Sequence, residues 1–167
     1  VEHPEQFVFF LVLTLSIVLS IWKGGAPERA GGFLIFGMCV WQVGAVRVLP
    51  SHFTSVDPIS LSTDVTGTIG FGFLALQARR IWPIWATSLQ ILSLSAHFAR
   101  WADIGIPPFV YAVMRGAPTF GAMIAMLAGT VLHLRRVRRH GCDPSWQNWS
   151  RAVVASGRSR PRYSKFS

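Results

Sequence analysis

The sequence predicts an all-α, polytopic transmembrane helix bundle of about five spans, with four as the alternative. Three observations carry that class. Hydrophobic residues make up 51% of the 167 residues and charged ones only 14%, with a mean hydropathy of +0.41, too little polar surface for a water-soluble globule of this size. The apolar residues fall in runs close to the roughly 20 that a helix needs to cross about 30 Å of hydrocarbon. The formal charge of +9, from 16 Lys and Arg against 7 Asp and Glu, collects between and after those runs, so it reports topology before it reports a partner.

The first span is expected at about 6–22, after Pro4 and Glu5, which suit a first helical turn. A cleaved signal peptide is disfavoured there because Glu2 and Glu5 replace the basic leader and no A-x-A site follows. The second, at 32–49, ends at Pro50 and has Gln42 and Arg47 as its strongly polar members. A loop rich in His, Ser, Thr, Asp and Pro leads to the third, 61–78, which carries Asp64 and stops before Arg79 and Arg80. Pro83 opens the fourth, 83–101, and Pro107 and Pro108 separate it from the fifth, 109–134, which contains Arg115 and Pro118.

Five spans put the chain ends on opposite sides. With the N-terminus out and the C-terminus in, the inside receives Lys23, Arg29, Arg79, Arg80, Arg135, Arg136, Arg138 and Arg139. The outside receives Arg47, Arg100 and Arg115 together with Glu2, Glu5, Asp57, Asp64 and Asp103. A four-span chain, its third segment re-entrant or on the surface, would put Arg79 and Arg80 outside or turn the N-terminus inward.

Residues 1–140 therefore form the expected bundle, and 141–167 a basic, flexible cytoplasmic tail without hydrophobic periodicity. Ala117, Gly121, Ala125 and Gly129 recur every fourth residue and form a helix-packing face, read as packing within the bundle in preference to a dimer contact. Gly67, Gly70 and Gly72 do the same less regularly. Trp22, Trp82, Trp85, Trp101 and Tyr111 at segment ends suggest an aromatic belt. Arg135, Arg136, Arg138 and Arg139 are expected to contact anionic headgroups, at about 1 kcal/mol per basic residue. No aromatic-and-basic fold accompanies them, which weighs against nucleic acid.

Ionisable groups inside a span are functional candidates by default. Gln90, Ser93, His97 and Arg100 follow one another at i, i+3, i+7 and i+10, so they form one polar stripe on the fourth segment. Asp64 and Arg47 lie at matching depths near the outer ends of theirs. A candidate cluster of Arg47, Asp64, Gln90, His97 and Arg100 follows, with Asp64 and His97 as a proton-accepting pair or small-ligand site. Structural pairing is the favoured reading, because side chains within a turn or two of a helix end can snorkel to headgroups and water. No metal site and no cofactor are predicted: His97 lies about 21 Å along its helix from Pro83, too far from His133 to share an iron, and His3 and His52 lie in loose segments. No catalytic residues are assigned, since H-E-x-x-H, G-x-S-x-G, phosphate-loop and dinucleotide patterns are all missing, and His140 to Asp143 is expected to be an exposed turn.

Several strings occur together: Trp22 to Arg29 (WKGGAPER), Arg79 to Trp85 (RRIWPIW) with Gln90 and His97 beyond it, Gly129-Thr130 before His133, Arg135 and Arg136, and Gly141 to Trp146 (GCDPSW). With them the chain resembles the small multi-span integral membrane proteins of uncharacterised function found in alphaproteobacteria, particularly sphingomonads. The resemblance covers most of the chain up to Trp146 and implies a bacterial inner-membrane setting. It implies no reaction, ligand or site residue. The strings also have a physical reading: Gly24-Gly25 ends one helix, Pro27 and Glu28 start the next, and both short loops make successive helices antiparallel neighbours.

The leading functional expectation is a non-enzymatic accessory, assembly or interaction subunit of a membrane complex. The alternative is a small homo-oligomeric carrier or proton-coupled permease using Asp64 and His97. A haem-binding or lipid-modifying membrane protein is a weaker third.

Overall fold

The computed structural model describes residues 4–48, 58–102, 105 and 107–146. Five α-helices follow one another: α1 (Pro4–Lys23), α2 (Ala26–Val48), α3 (Pro58–Gln77), α4 (Trp82–Trp101) and α5 (Pro108–His140). Among the described residues there is no β-strand, only an isolated bridge between Ala78 and Trp146. The fold is all-α. The 147–167 part of the expected tail lies outside the described residues, as do Glu2, His3, His52, Asp57 and Asp103.

Two connections are too short to do anything but reverse the chain. The Gly24 amide donates to the Ser20 carbonyl (3.1 Å), closing α1, and the Gly25 carbonyl accepts from Arg29 (2.9 Å), opening α2. A Cβ on Gly24 would lie 2.6 Å from that of Glu28, so only glycine permits the two-residue turn. Pro27 occupies the first turn, which explains why α2 begins at Ala26, ahead of the apolar run expected from residue 32. Likewise Pro83 sits in the first turn of α4. At the other extreme α5 continues through its basic residues to His140, six beyond the expected end, because Arg and His suit the negative end of the helix dipole. Gly141, at φ 72°, then caps it through the Val137 carbonyl (2.9 Å).

The contacts give an up-and-down ring. Met38 of α2 meets Gly67 of α3 and Leu34 meets Gly70; Gln90 and Thr87 of α4 run back along Gly67 and Gly72. Leu89 and Trp82 of α4 pack on Gly121 and Gly129 of α5. The ring closes between α1 and α5, which lie parallel: Phe9 stacks on Phe120 at 6.3 Å, Ser16 Oγ donates to the Met123 carbonyl at 3.4 Å, and Ser20 bonds Thr130 at 3.1 Å. Since Thr130 gives its one hydroxyl hydrogen to Met126, Ser20 is the donor.

Gly121 and Gly129 of α5 pack against α4. A methyl at Gly121 would lie 3.0 Å from Leu89 Cδ1, and Gly129 is the seat of the Trp82 indole, while Ala117 is exposed. Trp82 departs from the expected aromatic belt for that reason: it is 5% exposed and lies edge-on to Phe71 at 6.1 Å. Trp22, Trp85 and Trp101 do lie on the surface, at 69%, 62% and 79% exposure. The Tyr111 side chain lies outside the described ones.

Many large apolar side chains lie on the outside, and several polar ones lie within. Phe33, Phe36, Val40, Trp41, Ile69, Phe73, Leu76, Ile91, Leu92 and Phe98 point outward, whereas Ser16, Ser20, Glu28, Asp64, Arg80, Gln90, Ser93, His97 and Thr130 are buried. Exposed hydroxyls on α3 and α4 bond their own backbone: Thr66 to the Ser62 carbonyl, Ser88 to Ile84, Ser95 to Leu92. Two helical stretches, Pro58–Gln77 and Gly116–His140, are long and apolar enough to cross a membrane, and Phe7–Lys23 is a shorter apolar helix. In α4 the apolar run is diluted by Gln90, Ser93 and His97, which the helix turns inward.

Candidate functional site

The polar residues gather at the two ends of the bundle. At the end holding the α2–α3 connection, Asp64 lies six residues into α3 and His97 four residues before the end of α4, about 9 Å and 6 Å along helices of 1.5 Å rise. Antiparallel packing therefore brings them to one level. His97 Nε2 lies 3.0 Å from Asp64 Oδ2, which also accepts a hydrogen bond from Ser93 Oγ at 2.8 Å. Their side chains are 2% and 8% exposed, so neither snorkels to the surface.

An ionised carboxylate only accepts, so the His97–Asp64 contact requires one proton between Nε2 and Oδ2, carried by either group. Gln90, 1% exposed, stands two turns before His97 on the same face, and its carboxamide packs against Gly67, where a Cβ would lie 3.1 Å from Cδ. Among the described residues its Oε1 has no hydrogen-bond partner. Nearby, Thr63 Oγ1 lies 3.0 Å from Gln42 Oε1 and Trp41 Nε1 donates to Ser62 Oγ at 2.9 Å, tying α2 to α3.

Of the residues expected in this cluster, Asp64, Gln90 and His97 share one face of the α3–α4 interface. Arg100 is half-buried one turn beyond His97. Arg47 belongs to α2, and its side chain lies outside the described ones.

The second cluster, at the short-turn end, joins residues that sequence reasoning left apart. Arg80, in the turn between α3 and α4, is a topology charge by its position, yet its side chain is 3% exposed. Its Nε donates to Glu28 Oε1 at 3.1 Å, Nη1 to Asp143 Oδ1 at 3.0 Å and to the Pro144 carbonyl at 3.1 Å, and Nη2 reaches Asp143 Oδ2 at 2.8 Å. The Trp82 indole N–H donates to Glu28 Oε1 at 3.2 Å. Glu28 is 0% exposed, and its Oε2 has no partner among the described residues.

Asp143 corrects the expectation of an exposed turn: His140, Gly141 and Cys142 are exposed, but the Asp143 side chain is 7% exposed. His133 Nδ1 lies 2.8 Å and Arg136 Nε 3.1 Å from its Oδ2. The Nδ1 must carry its hydrogen to bond a carboxylate, so the 3.4 Å approach of Arg80 Nη2 to it is a meeting of two donors. Burial alone would raise the Asp143 carboxyl, but the His133 hydrogen bond and the charges of Arg80 and Arg136 outweigh it and hold the carboxyl below its ordinary range. Arg79 completes the fastening, its amide donating to the Ser145 carbonyl at 3.1 Å. Residues 141–146 are therefore a docked strap, not the start of a tail, and Arg136 is held by Asp143 where a headgroup contact was expected. Arg135, Arg138 and Arg139 are exposed.

Between the two clusters lies an apolar layer of Phe71, Ala86, Met123 and Met126, each 0% exposed. Among the described residues no three His, Cys, Asp or Glu side chains form a group able to hold a metal ion. Compared with protein-family models, curated proteins and solved structures, the chain has no match.

Proposed function

We propose that the chain is a five-span protein of a bacterial inner membrane, N-terminus out and C-terminus in, that acts as a small proton-coupled carrier. The observation that carries this reading is the buried Asp64–His97 contact of 3.0 Å, at matched depth on two antiparallel helices. A carboxylate and an imidazole that must hold one proton between them are suited to taking it up and passing it on. The outward apolar side chains and the back-bonded hydroxyls support the membrane setting, since lipid offers no partner to a polar group. Exposed Arg135, Arg138 and Arg139 would then meet anionic headgroups on the inner side.

The test is proton movement through the purified full chain in lipid vesicles carrying an internal pH-sensitive dye. With an imposed pH gradient, the wild type should collapse the gradient faster than protein-free vesicles, and Asp64→Asn should return it to the protein-free rate. A wild type no faster than empty vesicles, or an Asp64→Asn protein as fast as wild type, overturns the reading.

One observation favours the accessory-subunit alternative. Gly37 and Gly44, two turns apart on α2, face outward with nothing within 4 Å of an added Cβ, beside exposed Val40 and Trp41. Such a surface suits a neighbouring helix. Gly37→Leu with Gly44→Leu should abolish a stable complex isolated in mild detergent, and a complex of unchanged mass would remove this surface from consideration.

A further inference from the structure

Glu28 is the most deeply buried acid among the described residues, and the proton-carrier reading leaves it unused. Its Oε1 is satisfied by Arg80 and Trp82, but Oε2 has no partner among the described residues, a costly state for a buried carboxylate. The free oxygen lies beside Gly25. A Cβ there would lie 2.8 Å from Glu28 Oε2 and 3.0 Å from His133 Cε1, so the acid and the Cε1 edge of the imidazole border the space that a side chain would fill.

The charges around Glu28 can be enumerated. Arg80 comes from the α3–α4 turn, His133 and Arg136 from α5, and Asp143 from the strap; Arg29, on its own helix, is turned to the Gly24 carbonyl. Lys23 of α1 lies over the Trp22 ring at 4.8 Å to the centroid. Arg80 is shared between two carboxylates. Asp143 takes its bidentate side together with Arg136 and His133, and Glu28 keeps only Nε.

We propose that Glu28 is a second proton-binding carboxylate, serving the short-turn end of the bundle as Asp64 and His97 serve the other, with His133 as its proton donor and acceptor. Asp143 fixes the His133 tautomer by accepting from Nδ1, which leaves Nε2 to exchange protons. The proton leaves Nε2 of the imidazolium and ends on Glu28 Oε2; the neutral imidazole keeps its Nδ1 hydrogen bond to Asp143. His133, 12% exposed, is the member of the pair that reaches the surroundings, and Glu28 the member that faces the core. The apolar layer around Phe71 and Met126 separates this site from the Asp64–His97 pair, so a carrier would have one acid on each side of its barrier. The transport role of Glu28 rests on the proton-carrier reading; its protonation does not.

The experiment is an infrared difference spectrum between neutral and acidic buffer, recorded on the full chain in lipid vesicles. Asp143 contributes a carboxylic acid C=O stretching band in acid, and the expected result is a further component that is lost in Glu28→Gln and kept in Asp64→Asn. A Glu28→Gln spectrum that keeps every C=O component of the wild type overturns the proposal. Should Glu28→Gln fail to assemble, Gly25→Ala leaves the acid in place and presses a methyl on Oε2. A shifted band supports the proposal and an unshifted one overturns it. Loss of proton movement in Asp64→Asn is read separately, in the dye assay, and reports only on the other end.

Discussion

Asp64 Oδ2 lies 3.0 Å from His97 Nε2, so a carboxylate on one helix and an imidazole on its antiparallel neighbour must hold a proton between them. The contact ties α3 to α4. A second tie, Arg80 between Glu28 and Asp143, joins the same pair of helices to α2 and to the strap at the other end.

Arg80 should be the most sensitive charged position. Arg80→Met leaves Glu28 buried without its cation, and breaking a buried pair in this way costs about 3–5 kcal/mol. Unfolding in detergent micelles measures it, and Glu28→Gln in the Arg80→Met background should restore part of the loss. An additive double variant would show that the two side chains do not interact.

Gly129 and Gly37 should behave oppositely. A methyl at Gly129 runs into the Trp82 indole, which has no room to move, and overpacking of this kind costs about 1–3 kcal/mol. A methyl at Gly37 meets nothing within 4 Å, so Gly37→Ala should leave the unfolding midpoint of the isolated chain unchanged or raised. Equal effects at the two positions would contradict the packing described.

The strap should be held by Asp143 at neutral pH and released only in acid. Its folded pKa is lowered, so the stabilisation it gives is present above the ordinary carboxylate value of about 3.9 and is lost as pH falls through the lower folded value. Hydrogen exchange at the Arg79 amide, bonded to the Ser145 carbonyl, reports the docking. At neutral pH, Asp143→Asn should exchange faster there than wild type, while Gly141 stays capped.

Arg136 should be distinguishable from its neighbours. Replacing Arg135, Arg138 and Arg139 by Gln should reduce co-purified anionic phospholipid, at about 1 kcal/mol per residue, with little change in strap protection. Arg136→Gln should do the reverse. Lipid retention by mass spectrometry and hydrogen exchange together separate the two roles.

How far the site is legible in the sequence depends on the distance over which its parts interact. Gln90, Ser93 and His97 are one helical stripe at fixed spacing, and the tight turn before Pro83 sets α3 and α4 antiparallel, so equal depth predicts that Asp64 and His97 share a level. Their contact itself depends on helix rotation, which one sequence does not specify. Glu28, Arg80 and Asp143 come from the start of α2, the α3–α4 turn and the strap, and each has a local explanation: a first-turn acid, a topology charge, a turn residue. The signal that points to them is that Glu28 and Asp143 are acids among the basic residues of one end, with Gly24 and Gly25 just ahead of Glu28. Trp82 reads as an interfacial ring until Gly129, at matching depth on α5, is recognised as its seat.

Proton movement in four proteins tests the central claim most directly: wild type, Asp64→Asn, His97→Gln and the double variant, each in vesicles under one imposed pH gradient. Two residues that hold one proton act as a unit, so their effects are non-additive. Each single variant should fall to the protein-free rate, and the double variant should be no slower than either. A wild-type rate in either single variant would contradict a shared proton between Asp64 and His97 as the working site.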